Sequence, residues 1–292
     1  MSSSVPAPEV PHDVVLTLRC PDRPGIVHAV SGFLVTHGGN IVESQQYWDT
    51  QTGDFFMRVA FAVDGPVSVD RLREDFAAVA QGFAMTYDLW SARAPYRTLI
   101  MVSKHLHCLN DLLFRWSTGS LQVEIPVVVS NHRDAERLVR GHGLEFEYLP
   151  VTPETKPAAE DRLRELVVVH DIDLVVLARY MQVLSDRLCR DLSGRAINIH
   201  HSFLPSFKGA KPYHQAFDRG VKLVGATAHY VTADLDEGPI IEQEVARVNH
   251  THTAEQLVEL GQDTERLVLA RAVRAWAEDR VMLVGDKTVV FP

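Results

Sequence analysis

A short apolar run near residue 200 carries two polar side chains with complementary chemistry. In the segment Ala-Ile-Asn-Ile-His, residues 196–200, strand alternation places Asn198 and His200 on one face and the two isoleucines on the other. An amide N–H donor and an imidazole are the two groups needed to handle a carbonyl under attack. These two residues alone also allow a purely structural interpretation, in which Asn198 caps a turn and His200 is a buried core histidine.

A second polar segment follows the next apolar run. Residues 232–239 read Thr-Ala-Asp-Leu-Asp-Glu-Gly-Pro, so Asp234, Asp236 and Glu237 occupy one loop between two apolar stretches. Acidic side chains beside a core are costly unless they are paired or functional. One of them could orient His200 and stabilise its protonated form. A solvated turn is the alternative, and spacing alone does not reject it.

The elements that must position these residues fall into two parts. The first part, residues 12–90, has apolar runs and breaks that predict the order βαββαβ, a ferredoxin-like domain. Before it, residues 1–11 form a Pro- and Ser-rich tail that we predict to be disordered, and after it residues 91–95 form a linker. From residue 96 to 292, strands and helices alternate, which predicts a doubly wound, Rossmann-like parallel sheet. The carboxyl ends of its strands open onto a ligand crevice, where Asn198 and His200 would lie.

Composition excludes several classes of protein. The 292 residues are 46% hydrophobic and 23% charged, which is typical of a folded globular protein, and the net charge is -9. Neither part of the chain has the basic excess that nucleic-acid binding needs. There is no apolar run long enough for a membrane span and no signal-peptide pattern at the start, so we predict a cytoplasmic protein that does not bind membranes. Three dispersed cysteines and 14 histidines without ligand spacing predict no metal site.

Several motifs together resemble one enzyme family. The pair Asn198-x-His200, followed by Leu-Pro at 204–205 and by Leu-Asp-Glu-Gly-Pro at 235–239, resembles the folate-dependent formyltransferases, whose catalytic Asn, His and Asp fall on Asn198, His200 and Asp236. Further stretches resemble the hydrolytic branch of this family, which carries an ACT domain; they are residues 104–113, 177–181, 209–216 and 225–230, and 22–27 in the first domain.

The resemblance implies an activity and a set of substrate contacts. We expect hydrolysis of 10-formyltetrahydrofolate to formate and tetrahydrofolate, without metal or cofactor, supplying formate to purine synthesis and balancing one-carbon pools. Which of His200 and Asp236 acts as the base stays open. The expected substrate-binding residues are Met181, Gln182, Leu184, Val231, Asp234 and His229. His229 equally suits a core or supporting position on its strand.

Two other functions compete with hydrolysis. One is formyl transfer to an amine acceptor, and the other is a folate-binding sensor without activity. The glycinamide ribonucleotide transformylases of the family cradle a phosphate in a glycine-rich loop after the first strand. Here no glycine occurs between residues 83 and 118, and bulky side chains fill the corresponding turn at 103–108. Water is therefore the expected acceptor.

The first domain is expected to regulate and to oligomerise. ACT domains bind small amino acids, and the resemblance suggests glycine or methionine as effector and a homo-oligomer, with a tetramer favoured. The expected effector residues are Asp22, Gly25, Ile26, Gly39 and Asn40, because a helix N-terminus at Ile26 offers free N–H groups to a carboxylate. The alternative is a tight turn in a domain that only joins subunits.

Overall fold

The computed structural model describes residues 13–63, 68–92, 94–205 and 212–292. The chain divides into two compact units, one up to Ala94 and the other from Pro95 to Val290. The predicted disordered tail lies outside the described residues, as do residues 209–211 of the motif at 209–216. No helix of the described part of the chain is long and apolar enough to cross a membrane.

The first unit has the predicted order βαββαβ. Its elements are β1 (Val14–Pro21), α1 (Ile26–Thr36), β2 (Gly39–Trp48), β3 (Asp54–Val63), α2 (Val69–Phe83) and β4 (Thr86–Ser91). The four strands form one antiparallel sheet in the order β2-β3-β1-β4. Apolar residues at alternate positions of the strands face the two helices, with Leu16, Leu18 and Phe76 fully buried between them. The ferredoxin-like prediction is confirmed.

The second unit alternates strands and helices, also as predicted. Its elements are β5 (Tyr96–Val102), α3 (His107–Ser117), β6 (Val123–Glu124), β7 (Val127–Ser130), α4 (Glu136–Gly141), β8 (Glu145–Tyr148), α5 (Lys156–Val169), β9 (Leu174–Leu177), α6 (Asp186–Asp191), β10 (Ala196–His200), α7 (Pro212–Asp218), β11 (Leu223–Tyr230), β12 (Ile240–Arg247), α8 (Ala254–Ala277), β13 (Val281–Val284) and β14 (Lys287–Val290).

The main sheet of this unit has the order β12-β11-β10-β9-β5-β7-β8, with β6 beside β5. Strands β10, β9, β5, β7 and β8 run parallel, whereas β11 and β12 are antiparallel to their neighbours. The two antiparallel strands have no helix between them, and a short connection returns the chain in the opposite direction. The strand order reverses between β5 and β9, which makes their carboxyl ends the switch point of the sheet.

Helices cover both faces of this sheet. Residues of β9 alternate between two apolar clusters, since Leu174 and Val176 pack on the α3 and α8 side while Val175 and Leu177 pack on the α5 and α6 side. A strand buried on both faces reads as a continuous apolar run, as the sequence of β9 does. A small hairpin, β13 and β14, was not predicted; it turns at Gly285, whose φ is 58°.

Candidate functional site

The carboxyl end of β10 positions the predicted catalytic pair. Ile197 and Ile199 are buried in the cluster below the sheet, so strand alternation turns Asn198 and His200 to the opposite face. The turn after the strand is held by Thr227 of β11, whose hydroxyl donates to the carbonyl of Ser202 at 3.0 Å. The pairing of β10 with β11 therefore fixes the direction of the His200 ring.

Asp236 completes the group from the loop after β11. His200 Nδ1 lies 3.1 Å from Asp236 Oδ1, and the side chains are 4% and 13% exposed. Burial raises the pKa of Asp236, but the hydrogen bond from His200 and the charges of the surrounding histidines outweigh it, so the pKa of this carboxyl is lowered overall. The carboxylate is ionised and accepts the Nδ1 proton. Of the three acids in the loop, Asp236 is therefore the one paired with His200.

The other ring nitrogen of His200 is left for the reacting group. Nε2 is buried and has no hydrogen-bond partner among the residues that the structure describes. With Nδ1–H donated to Asp236, neutral His200 presents a lone pair at Nε2, which can take up a proton. A nitrogen prepared in this way is typical of a general base.

His229 contacts the side-chain amide of Asn198. The geometry favours a supporting role for His229 over the predicted contact with substrate. The two residues are directly paired across β10 and β11 and therefore share one face of the sheet. His229 Nδ1 donates to the carbonyl of Tyr230 at 2.8 Å, so Nε2 is the acceptor for the Asn198 amide at 3.2 Å. Burial lowers the pKa of His229, which keeps the ring neutral. His229 acts through Asn198 and leaves the second amide N–H for a ligand.

The loop that carries Asp236 fits closely against β11. Asp236 has a left-handed backbone, with φ at 58°. The Tyr230 amide donates to the Pro239 carbonyl at 2.9 Å, which ties the end of the loop to the end of the strand. A Cβ on Gly238 would lie 1.7 Å from the Tyr230 carbonyl oxygen, so only glycine allows this approach.

The remaining predicted substrate residues lie in the segments that follow β9 and β11. Met181 follows β9 and is 51% exposed, and its backbone N–H donates to Ser103 Oγ at 2.9 Å. Gln182 and Leu184 line a shallow surface cleft, and Leu184 is buried. Val231 and Asp234 lie in the loop after β11. Their role in folate binding stays a prediction.

His201 lies beside His200 rather than opposite it. Extended alternation predicts that adjacent residues face apart, but β10 ends at His200 and the chain turns, so the two rings stack with centroids 5.0 Å apart. Burial, the charge of Arg179 and the charge of His200 lower the pKa of His201 to about 4. His201 is thus a neutral neighbour of the catalytic ring.

A buried carboxylate that sequence reasoning missed lies near these histidines. Glu265 of α8 is 1% exposed; it accepts hydrogen bonds from Tyr213 at 2.8 Å and from His107 at 2.7 Å, and Arg179 Nε is 3.3 Å away. Burial raises the pKa of Glu265, but the hydrogen bond from His107 and the charge of Arg179 lower it overall. Partners separated by 52 and 158 residues leave no local sequence pattern.

One group of possible metal ligands coincides with this carboxylate. His107, Cys108 and Glu265 have ligand atoms within 4.8 Å of one another. Both oxygens of Glu265 are already hydrogen-bonded, and burial together with the charge of Glu265 raises the pKa of the Cys108 thiol. A guanidinium 3.3 Å from Glu265 further opposes a cation. The chemistry of this group therefore fits a hydrogen-bonded ion cluster better than a metal site.

The predicted effector residues lie at two ends of the first unit. Gly25 caps the N-terminus of α1 with φ at 99° and without a side-chain cap, while Gly39 and Asn40 begin β2 after the other end of α1. The helix has 11 residues, which separates its ends by about 16 Å. One copy of the domain therefore does not bring the two groups together, and a site built from both needs a second copy.

Comparisons with known proteins agree on two domains. Residues 96–273 match the formyl transferase family model, and residues 14–77 match the ACT domain model. The formyltetrahydrofolate deformylase of Corynebacterium sp. (strain P-1) is 55% identical over 278 residues, covering 95% of this chain and 97% of the relative. That of Escherichia coli (strain K12) is 39% identical, with 95% and 98% covered.

Solved structures give the same result. The formyltetrahydrofolate deformylase of Pseudomonas syringae pv. tomato has a TM-score of 0.94 and 47% identity, covering 97% of this chain and 96% of that one. The glycinamide ribonucleotide transformylase 1 of Symbiobacterium toebii has a TM-score of 0.64 and 29% identity, covering 70% of this chain and 98% of its own.

Proposed function

This chain belongs to the formyltetrahydrofolate deformylase family and hydrolyses 10-formyltetrahydrofolate to formate and tetrahydrofolate, and we propose that Asn198, His200 and Asp236 carry out that reaction. The observation that carries the assignment is the 3.1 Å contact between His200 Nδ1 and an ionised Asp236, which leaves Nε2 buried and open. The same contact supports His200 as the base and Asp236 as the residue that orients it.

His200 moves the proton in the proposed mechanism. Nε2 takes a proton from water while the water oxygen forms a bond to the formyl carbon and the carbonyl electrons move to oxygen. Asp236 stabilises the imidazolium that results. The proton then passes from Nε2 to N10 as the C–N10 bond breaks. The formic acid loses its remaining proton, so formate, tetrahydrofolate and one proton account for every atom of substrate and water.

Asn198 stabilises the oxyanion in this mechanism. Its amide gives one N–H to His229 and has a second N–H for the oxygen that becomes negative. Because His229 fixes the amide before the substrate arrives, no reorganisation is needed as the charge develops. Loss of such a donor typically costs about 100- to 1,000-fold in rate.

Water as the acceptor is supported by the turn between β5 and α3. This turn contains no glycine, and His107 at its end is tied to Glu265. A phosphate cradle needs backbone N–H groups that approach closely, which glycine allows and bulky side chains hinder. Formyl transfer to a phosphate-bearing amine therefore lacks its binding turn. Folate binding without catalysis is opposed by the intact pair of His200 and an ionised Asp236.

The experiment is turnover in water enriched with oxygen-18, in the presence of a chelator and without an amine. Hydrolysis by this mechanism places one solvent oxygen in each formate and needs no metal or cofactor. Formate without label, or a rate that appears only with glycinamide ribonucleotide or with added metal, contradicts the proposal.

The ACT domain supports a further proposal on regulation. We propose that a small amino acid, glycine or methionine, binds between two copies of the domain, where Asp22, Gly25 and Ile26 of one copy meet Gly39 and Asn40 of another. Such a site requires a homo-oligomer, and a tetramer is the proposed state. A genuine effector should change folate affinity about 5- to 150-fold. Titration of each amino acid with Asn40→Ala as comparison tests it; no response leaves the domain structural.

Two predictions concern the setting of the reaction. Supply of formate to purine synthesis follows from the product of the reaction and is testable by the purine requirement of a strain without the enzyme. The cytoplasmic location predicted from the sequence is testable by cell fractionation.

A further inference from the structure

Arg179 follows β9 at the carboxyl edge of the sheet, the edge at which β10 presents His200. Strands β9 and β10 are parallel, and Leu177 is paired with Asn198. Arg179 and His200 each lie two residues beyond this pair, so both are at the same edge of the sheet. On the other side, the Ser103 amide donates to the Arg179 carbonyl at 3.2 Å. Arg179 is therefore at the switch point, where ligands bind in sheets of this kind.

The guanidinium of Arg179 is buried with unfilled donors. Its side chain is 10% exposed, and Nε and Nη1 have no hydrogen-bond partner in the described part of the chain. Nε is 3.3 Å from Glu265, but that carboxylate takes its hydrogen bonds from Tyr213 and His107. Glu265 pairs with the guanidinium at Nε, whereas Nη1 has neither an ion pair nor a hydrogen bond in the described part of the chain. A buried N–H group without an acceptor is costly, so an external acceptor at Nη1 would be stabilising.

The backbone gives a second sign of a functional position. Arg179 has a φ of 64°, in the left-handed region that residues other than glycine rarely adopt. Strained residues of this kind are concentrated at ligand sites, where the surrounding structure holds them. A lysine or glutamine at position 179 would have to adopt the same left-handed backbone. Substitution by either residue therefore tests the guanidinium without changing the backbone strain.

The chemistry of the guanidinium selects the ligand. Arginine presents several N–H donors in a planar fork that matches a carboxylate. The reaction at His200 produces a carboxylate, formate, from the formyl carbon. Glu265 offsets part of the Arg179 charge, which limits the affinity and allows the product to leave.

We infer that Arg179 forms a binding site for the formate product, which moves from His200 onto the unfilled N–H groups of the guanidinium. The inference rests on the proposed function for the identity of the anion. It adds to the proposed function a separate binding site for formate, away from the position at which water attacks the formyl carbon. His201 is stacked on His200, and the charge of Arg179 is one of the causes that lower its pKa, so the guanidinium acts electrostatically on this pair of rings.

The test measures formate binding without turnover. Carbon-13 formate is titrated into substrate-free protein and observed by NMR, with nitrate, a planar anion of similar shape, as competitor. Arg179→Gln and Arg179→Lys are compared with Arg187→Gln, which changes an exposed arginine on α6. Arg179→Lys keeps the positive charge near Glu265, so it controls for loss of folding, which thermal melts report.

Saturable binding is expected for the parent protein and for Arg187→Gln, with about 10- to 100-fold weaker binding in both Arg179 variants. Formate should also inhibit turnover in the parent and lose that effect in the variants. No saturable binding, or equal binding in Arg179→Gln, overturns the inference and leaves Arg179 as a ligand for water alone. Incorporation of solvent oxygen tests the proposed function separately, so the two can fail independently.

Discussion

Gly238→Ala tests whether the Asp236 loop must fit tightly against β11. A Cβ on Gly238 would lie 1.7 Å from the Tyr230 carbonyl oxygen and 2.8 Å from its carbonyl carbon, and real contacts of this kind are at least 3.0 Å. A shift of about 1.3 Å is therefore the minimum. The Tyr230 carbonyl is fixed within β11 and accepts the His229 Nδ1 proton, so the loop must move.

The consequence is expected in catalysis, because Asp236 is two residues before Gly238. A displacement of about 1 Å in a catalytic group can cost about 100-fold in rate, or about 2.7 kcal/mol in activation free energy. We expect kcat to fall by this amount while the circular dichroism spectrum is retained. The matched control is Gly141→Ala, where a Cβ has no neighbour within 4 Å. A kcat for Gly238→Ala equal to that of the parent would refute the proposed role of the loop.

Three further predictions follow from single contacts. His229→Phe keeps a ring but removes the acceptor that orients Asn198, so kcat should fall about 10-fold or more with intact folding; unchanged kcat refutes the positioning role. Burial, followed by the charges of Arg179 and His200, lowers the pKa of His201 from 6.5 to about 4. Between these two pH values, His201 is therefore protonated in the unfolded chain and neutral in the folded chain. Stability should fall as pH drops through this range, on the order of 1 to 2 kcal/mol after allowance for partial exposure, and His201→Asn should flatten the dependence in urea titrations. Gly261→Ala places a Cβ 2.0 Å from Tyr213, and should destabilise by about 1 to 3 kcal/mol despite better helix propensity; a more stable variant contradicts this.

Local patterns in the sequence account for most of the elements. The helix α8 begins after a capping box formed by Thr253 and Gln256, and the residue types of such a box are visible in the sequence. The hairpin β13 and β14 had a usable signal as well, since alternating apolar residues flank Gly285 and Asp286.

The site was predictable only where one strand or loop carries it. Strand alternation put Asn198 and His200 on one face, and the family resemblance supplied Asp236 from the loop. The pairing of Asn198 with His229 depends on the register of β10 and β11, which sequence does not give. Glu265 has partners in three other segments of the chain, so its cluster becomes visible only in the folded chain.

The most direct measurement of the central claim is kcat for formate release from 10-formyltetrahydrofolate by His200→Ala, with Asp236→Asn and Asn198→Asp measured alongside it. Each variant should lose at least about 100-fold in kcat and melt like a folded protein, because each group acts in the transition state. His250→Ala, which removes an exposed histidine, should keep the parent rate. A folded His200→Ala variant with near-parental kcat would contradict the assignment of proton transfer to this residue.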